Sequence, residues 1–125
     1  MKIENIKFKA KRLDGKGWAI GDLMHFYENG AVIVPIKGDD AFYVDPSTVC
    51  MFTGEKDMNG DEIYIGDIIS CLETGSVVEV TWNDRLKRLD CKFLNADKGL
   101  EVPFGIFVSR YKRIVVLMSK FDKEK

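Results

Sequence analysis

The sequence has no long apolar run and few of the residues on which metal or nucleophile chemistry depends. Its 125 residues include one His and three Cys, and no stretch approaches the roughly 20 apolar residues that a membrane-spanning helix needs. Cys50, Cys71 and Cys91 form no C-x-x-C pair, which favours reduced, buried thiols over a disulfide framework. The lysine-rich start has no apolar signal core, so we expect a cytoplasmic protein.

Motifs of the common catalytic mechanisms are also missing. The sequence contains no G-x-S-x-G, no phosphate-binding Gly loop and no H-E-x-x-H. The stretch "DMNGDE" spaces Asp57, Asn59 and Asp61 as a calcium loop does, but Glu62 replaces the Gly of position six and Ile68 the Glu of position twelve. A solvated turn is favoured over a looser metal site among Asp57, Asp61, Glu62 and Asp67. We therefore expect no enzyme and no cofactor.

Charge is distributed unevenly along the chain, although the net charge is only −1. Residues 1–16 and residues 110–125 each hold six Lys or Arg against two acids, whereas the stretch between them holds seven against sixteen. Basic ends can bind phosphates, but acidic and basic segments of one chain can also complement each other. The second interpretation is favoured.

Short runs rich in β-branched and aromatic residues indicate a mainly β fold. Ile6, Phe8 and Ala10 alternate with three lysines, as in a strand with one wet face. Seven such runs follow, which gives about eight short strands at hairpin spacing and predicts antiparallel strands, packed β-hairpins and little helix. Only "DPSTV" and "VPFGIFVSRYKR" have helical character. Residues 1–125 fit a single domain, with two β submodules of about 1–50 and 51–125 as the alternative.

Two segments resemble each other at an offset of 45 residues. Residues 20–34 align without a gap to residues 65–79, with six of fifteen positions identical. Each copy has a Gly-Asp entry, an apolar strand, a turn written "ENG" or "ETG" and a return strand. The pattern predicts two related β-hairpins whose turn glycines, Gly30 and Gly75, adopt positive φ, with chance similarity as the alternative.

The stretch "FTGEKDMNGDEIYIGDII" (residues 52–69) concentrates turn signals between strand-like runs. Asn59-Gly60 predicts a tight hairpin turn, and Gly66-Asp67 predicts a junction between two strands. A short carboxylate beside Gly is well placed to bind backbone N–H groups. We therefore expect Asp67 to accept such hydrogen bonds from the adjacent turn.

These residues resemble the signature of the YopX family of small phage and prophage proteins. The family core, T-G-x-K-D-x-N-G-x-x-I-[YF]-x-G-D-[IV], runs without a gap from Thr53 to Ile68, and "IKFKA" is similar to the family's N-terminal motif. Met51 replaces the usual Gln, Glu55 the common Leu, and the family's Gly-Asn-Ile-Tyr ending is absent. The resemblance implies an SH3-like barrel component, a phage or prophage setting in a bacterial host cell and no established catalysis. The matched core comprises Thr53, Gly54, Lys56, Asp57, Asn59, Gly60, Ile63, Tyr64, Gly66 and Asp67.

Protein binding or self-assembly is the favoured function. The run Ile114 to Met118 is apolar without alternation, so a strand there needs cover on both faces. A second copy is one source of cover, which predicts a homo-oligomer using part of residues 104–118. The N-terminal strand of the same chain is the alternative, and an unidentified host or phage protein is a further partner class. The candidate self-association residues are Phe104, Phe107, Ile114, Val116 and Met118.

Nucleic-acid binding is the second function class. Small β barrels can present aromatic and basic side chains together, and "WNDRLKRLDCKF" offers such a surface, with Lys7, Lys9 and Arg12 near the start of the chain. The candidate contacts are Trp82, Arg85, Lys87 and Arg88. An ordinary charged hairpin loop is favoured over this interpretation because the chain has no net positive charge.

Overall fold

The structure is a computed structural model that describes residues 2–26, 28, 30–35 and 40–122. Within these ranges the protein consists mainly of antiparallel strands, with one α-helix and 3-10 turns at Ile3–Asn5, Pro46–Thr48 and Lys120–Asp122. The prediction of a mainly β fold with little helix is confirmed. The chain divides into two compact units, unit 1 (Met1–Gly54) and unit 2 (Glu55–Lys125), and the predicted division near residue 50 falls at the start of a strand.

Unit 1 contains a sheet with the strand order β4-β3-β2-β1-β5. In β1, Phe8 and the fully buried Ala10 face the core whereas Lys9 and Lys11 lie on the other side, which confirms the predicted alternation for these four residues. Ile6, which was included in that prediction, precedes the strand and is 40% exposed. The core gathers Ala10, Ala19, Ala31, Ile33 and Val44. The strands are β1 (Phe8–Lys11), β2 (Trp18–Phe26), β3 (Gly30–Val34), β4 (Phe42–Val44) and β5 (Cys50–Lys56), the last of which continues into unit 2.

Unit 2 contains a five-stranded sheet with the order β10-β9-β8-β7-β11, preceded by the short strand β6. Its core is formed by apolar side chains of alternate strand positions, such as Val78 and Val80 of β8 and Cys91 of β9, together with residues of the helix. The strands are β6 (Glu62–Tyr64), β7 (Asp67–Cys71), β8 (Val77–Asn83), β9 (Arg88–Phe93), β10 (Glu101–Pro103) and β11 (Ile114–Ser119).

Helix α1 (Phe104–Arg110) occupies the second segment with helical character in the sequence. It begins directly after Pro103, whose fixed φ suits a helix start. Phe104 and Phe107, one turn apart, both enter the core of unit 2. The helix ends where the Tyr111 N–H donates to the Phe107 carbonyl oxygen, and the residues that follow extend toward β11.

Both segments of the internal similarity form hairpins, β2–β3 and β7–β8, but their registers differ by one residue. Leu23 pairs with Ile33, whereas the equivalent Ile68 pairs with Glu79 instead of Val78. The first hairpin has three residues between its last register partners, Phe26 and Gly30, and the second has six, between Ser70 and Val77. Gly75 has the predicted positive φ of 79°. The prediction for Gly30 is wrong, because Gly30 begins β3 and Glu28 takes the positive φ instead.

The described strands form no closed barrel, so the SH3-like barrel component remains a prediction. An isolated bridge between Arg12 and Val44 links the end of β1 to β4. In the described part of the chain, no helix has the length and apolarity required to cross a membrane.

Candidate functional site

The turn "DMNG" is organised by the carboxylate of Asp57, which is 7% exposed. Its Oδ1 accepts from the N–H groups of Asn59 at 2.9 Å and Asp61 at 2.8 Å, and its Oδ2 accepts from Val116 N–H at 2.9 Å. Gly60 has φ of 85°, and its N–H donates to the Asp57 carbonyl oxygen, as a tight turn requires. The predicted turn at Gly60 is confirmed.

The second part of the motif is a buried junction between β6 and β7. Asp67 is fully buried, and its Oδ2 accepts from Tyr64 N–H at 2.8 Å, which confirms the predicted backbone hydrogen bond. Gly66 has φ of 99°, and its N–H donates to the Val80 carbonyl oxygen. Ile63 and Tyr64 are buried, and the Tyr64 hydroxyl donates to Glu62. Of the other matched residues, Thr53, Gly54 and Lys56 lie in β5.

The Asp57 turn also bonds to the edge of β11, which the sequence analysis did not foresee. Strand β11 is the last strand of its sheet and pairs with β7 on one side. On its other side, Val116 N–H donates to Asp57 and the Ile114 carbonyl oxygen accepts from Met58 N–H. These bonds occupy edge groups that would otherwise be open to a strand of another chain.

The proposed self-association residues are largely internal to unit 2. Phe104, Phe107 and Ile114 are 3–4% exposed and belong to the core, so they are not available as surface contacts. Val116 and Met118 are half-buried. The exposed apolar side chains of segment 104–118 are instead Ile106, at 59%, and Leu117, at 55%.

The predicted nucleic-acid surface lies on the hairpin β8–β9. Trp82 is 50% exposed, but its Nε1 donates to Asp84, which also forms an ion pair with Lys87. Arg88 donates from Nε to Asp90 at 2.6 Å, and this buried carboxylate also accepts from Asn83. Two of the three candidate cations are therefore neutralised locally. Among the described residues, Arg85 has no acidic partner.

The basic N-terminal segment is engaged with aromatic rings of unit 1. Lys9 Nζ lies 4.6 Å from the ring centroid of Trp18, and Lys7 Nζ lies 4.9 Å from that of Phe52. Arg12 stacks on Phe42 at 4.0 Å and forms an ion pair with Asp14. Such contacts contribute about 0.5–1 kcal/mol each at exposed sites. They supply a structural role for the local positive charge.

An exposed apolar face on the sheet of unit 1 was not identified from the sequence. Met24, Val32 and Tyr43 are register partners across β2, β3 and β4 and therefore share one side of the sheet. The Phe26 and Tyr43 rings pack edge to face at 6.4 Å. The apolar face is defined by the exposed side chains of Ile20 (44%), Met24 (55%), Phe26 (40%) and Tyr43 (66%). Alternation along β2 places Ile20, Met24 and Phe26 on one side of the sheet, but it does not show whether that side is covered.

An aromatic groove in unit 2 lies between α1 and the strands β9 and β10. Its volume is about 200 Å³, and it is lined by Phe93, Val102, Ile106, Phe107, Arg110 and Tyr111. Phe107 packs edge to face against Phe93, with ring centroids 6.2 Å apart, and against Tyr111, with centroids 5.2 Å apart.

Cys50, Cys71 and Cys91 are free and buried, as predicted for small apolar side chains. Within the described ranges, no three His, Cys, Asp or Glu side chains are grouped as metal ligands would be. His25 is exposed on β2, beside a cleft in unit 1 of about 250 Å³.

The chain matches no family model and no curated protein.

Proposed function

We propose that the protein is a non-catalytic β module that binds proteins or assembles with copies of itself, in a phage or prophage setting. The setting rests on the motif from Thr53 to Ile68. The binding function rests on one observation, the apolar face of unit 1. Four large apolar side chains, each at least 40% exposed, lie on one side of one sheet with the exposed Asp22 between Ile20 and Met24, and such groups of apolar side chains mark interaction surfaces.

A second copy of the chain is the occupant we assign to the apolar face. Burying a large apolar side chain completely contributes about 1.5–3 kcal/mol, so four half-exposed side chains supply on the order of 4 kcal/mol. This is at the lower limit of the 4–15 kcal/mol that association costs. Self-association through the apolar face is therefore expected to be weak.

Static light scattering between about 1 µM and about 200 µM tests this proposal. The mean mass of the wild-type protein is expected to rise with concentration. Met24→Ser is expected to reduce the rise, because it removes exposed apolar area without opening the core. Met58→Ser, at a residue 49% exposed in the turn of unit 2, is the matched control. A constant monomeric mass, or equal loss in both variants, would contradict assembly through this face.

Nucleic-acid binding is a second candidate, favoured by the exposed Trp82 and by Arg85 on the same hairpin. A fluorescence titration with short single-stranded and duplex DNA at about 50 mM salt tests it, because phosphate-driven binding weakens steeply as salt rises. Salt-sensitive binding by a strictly monomeric protein, lost in Arg85→Gln, would favour this function over self-assembly.

A further inference from the structure

The aromatic groove of unit 2 has a rigid floor and one exposed edge. Phe107 is 3% exposed and is held between Phe93 and Tyr111 by the two edge-to-face contacts. Ile106, on the exposed edge, leaves 59% of its surface in contact with solvent. An apolar group entering the groove would meet an ordered aromatic surface, so little side-chain entropy would be lost in forming the site.

The size of the groove limits what it can hold. Sites for small molecules and cofactors typically have volumes of about 300–1,000 Å³. At about 200 Å³, the groove is smaller than that range. A single large apolar side chain, presented by a peptide whose remaining atoms stay outside, matches the volume better than a complete small molecule does.

The charge beside the groove is positive. Arg110 lines it, and Lys112 and Arg113 follow Tyr111, so three exposed cations lie within four residues. In the described part of the chain, none of these three side chains has a carboxylate within ion-pair distance of 4 Å. The backbone N–H groups of Lys112 and Arg113 donate to Glu73 of the β7–β8 loop, and Lys112 lines a different cleft, so Arg110 is the cation that the groove lining itself supplies.

The neighbouring sheet edge is poorly suited to adding a strand from a partner. Strand β10 is the last strand on its side of the sheet, has three residues and ends in Pro103, which has no N–H to donate. Recognition in this region therefore depends on the groove and its cations more than on backbone pairing.

We infer that the aromatic groove binds a peptide segment that carries one large apolar side chain flanked by carboxylates. The apolar side chain packs against Phe93, Phe107 and Ile106, and a carboxylate pairs with Arg110, while the exposed Lys112 and Arg113 add longer-range attraction. This inference rests on the proposed protein-binding function and gives it a partner chemistry. It concerns a surface other than the apolar face of unit 1.

Fluorescence anisotropy with labelled synthetic peptides tests the inference. The probe is an end-blocked peptide of sequence Gly-Asp-Glu-Phe-Glu-Asp-Gly, compared with one that has Ser for Phe and one that has Asn and Gln for the acids. Saturable binding of the probe is expected. Each analogue should bind at least about tenfold more weakly, because one lacks the Phe side chain that fills the groove and the other lacks the carboxylates that the cations attract. Equal binding of all three peptides, or no binding by the full-length protein, would overturn the inference.

Paired variants locate the site. Ile106→Ser and Arg110→Gln are each expected to weaken probe binding at least about fivefold, whereas Leu117→Ser and Arg85→Gln make the same chemical changes outside the groove and should leave it unchanged. Urea denaturation of each variant verifies folding. Equal loss of probe binding in the control and groove variants would refute the assignment. Competition by oligothymidylate, if it displaced the probe and if its own binding were also weakened by Arg110→Gln, would refute it as well. Light scattering stays a separate test, because the groove can fail while self-assembly holds.

Discussion

Asp57 and Asp67 show how single carboxylates stabilise the turns of the motif from Thr53 to Ile68. Each is buried, and each accepts hydrogen bonds from backbone N–H groups instead of facing a ligand. A short acidic side chain satisfies several backbone donors at once, which explains why turns so rich in charge are compatible with a compact unit. These contacts give the two acidic residues of the motif a structural role.

Replacing Asp57 with Asn is expected to destabilise the protein. The amide NH₂ group would face a backbone donor, because both carboxylate oxygens accept from N–H groups in the native structure. Losing a hydrogen bond to a charged group costs about 1.5–3 kcal/mol. Urea denaturation should show this loss for Asp57→Asn and almost none for Asp61→Asn, where the side chain is exposed. Equal midpoints for the two variants would contradict the structural role of Asp57.

The three thiols are expected to be unreactive in the folded protein. Burial, together with the neighbouring Asp90 carboxylate, raises the pKa of Cys91 to about 12. Cys50 and Cys71 are also buried, so their sulfur atoms are shielded from a reagent in solution. A colorimetric disulfide reagent at about pH 8 should react with no thiol in buffer and with all three in denaturant. Rapid reaction of one thiol in buffer would show that this thiol is accessible to solvent, which would contradict its buried position in the structure.

At the scale of elements, local patterns predicted most of the strands, but not the short strand β10 or what covers the edges and faces of the sheets. The alternation in β1 and the turn at Gly60 depend on neighbours in sequence and were predicted. The segment "VPFGIFVSRYKR" was expected to form a short helix or an irregular stretch, and it contains α1. The hydrogen bond at the edge of β11 joins the Asp57 carboxylate to Val116 N–H, and these residues are 59 positions apart in the sequence. The exposure of the apolar face likewise depends on which elements fold over it. Neither can be read from local periodicity.

Gly21 is expected to tolerate no side chain. A Cβ built there would lie 2.1 Å from the Val34 carbonyl oxygen, and backbone atoms cannot move away as a flexible side chain can. Gly21→Ala should lower the free energy of unfolding by at least about 2 kcal/mol.

Gly105, in α1, provides the matched control, since a Cβ there has no neighbour within 4 Å. Gly105→Ala should raise stability by about 0.5–1 kcal/mol, because Ala is the better helix former. Urea denaturation measures both variants. A neutral Gly21→Ala would show that β2 and β3 do not approach as closely as the structure has them.

Glu73 links the β7–β8 loop to the segment before β11, and its contribution should depend on pH. Desolvation opposes ionisation of Glu73, but the N–H groups of Arg113 and Lys112 outweigh it and lower its pKa below the ordinary 4.5. Because the folded pKa is the lower one, the stabilisation is fully present above pH 4.5 and is lost as the pH falls through the folded value.

The difference in urea midpoint between wild type and Glu73→Gln is therefore expected to be larger at about pH 7 than at about pH 3. Glu4→Gln, at an exposed carboxylate in the N-terminal turn, is the control and should show little difference at either pH. A Glu73→Gln difference that does not change with pH would contradict the proposed linkage.

At the scale of the whole molecule, each of the two β units carries one candidate binding surface, and the two surfaces differ in chemistry. Unit 1 presents the apolar face, and unit 2 presents the aromatic groove with its adjacent cations. The mainly β class was predictable from composition and alternation. The functional surfaces were not predictable in this way. Three of the five residues predicted to form an interface belong to the core of unit 2, on which α1 packs.

Methyl NMR of the methionine residues tests the central claim, self-association through the apolar face, most directly. Met24 lies in this face, whereas Met58 lies in the turn of unit 2 with comparable exposure and serves as an internal control. Raising the concentration from about 10 µM to about 1 mM should shift and broaden the Met24 methyl resonance while that of Met58 stays unchanged. A Met24 resonance that is independent of concentration would contradict the claim.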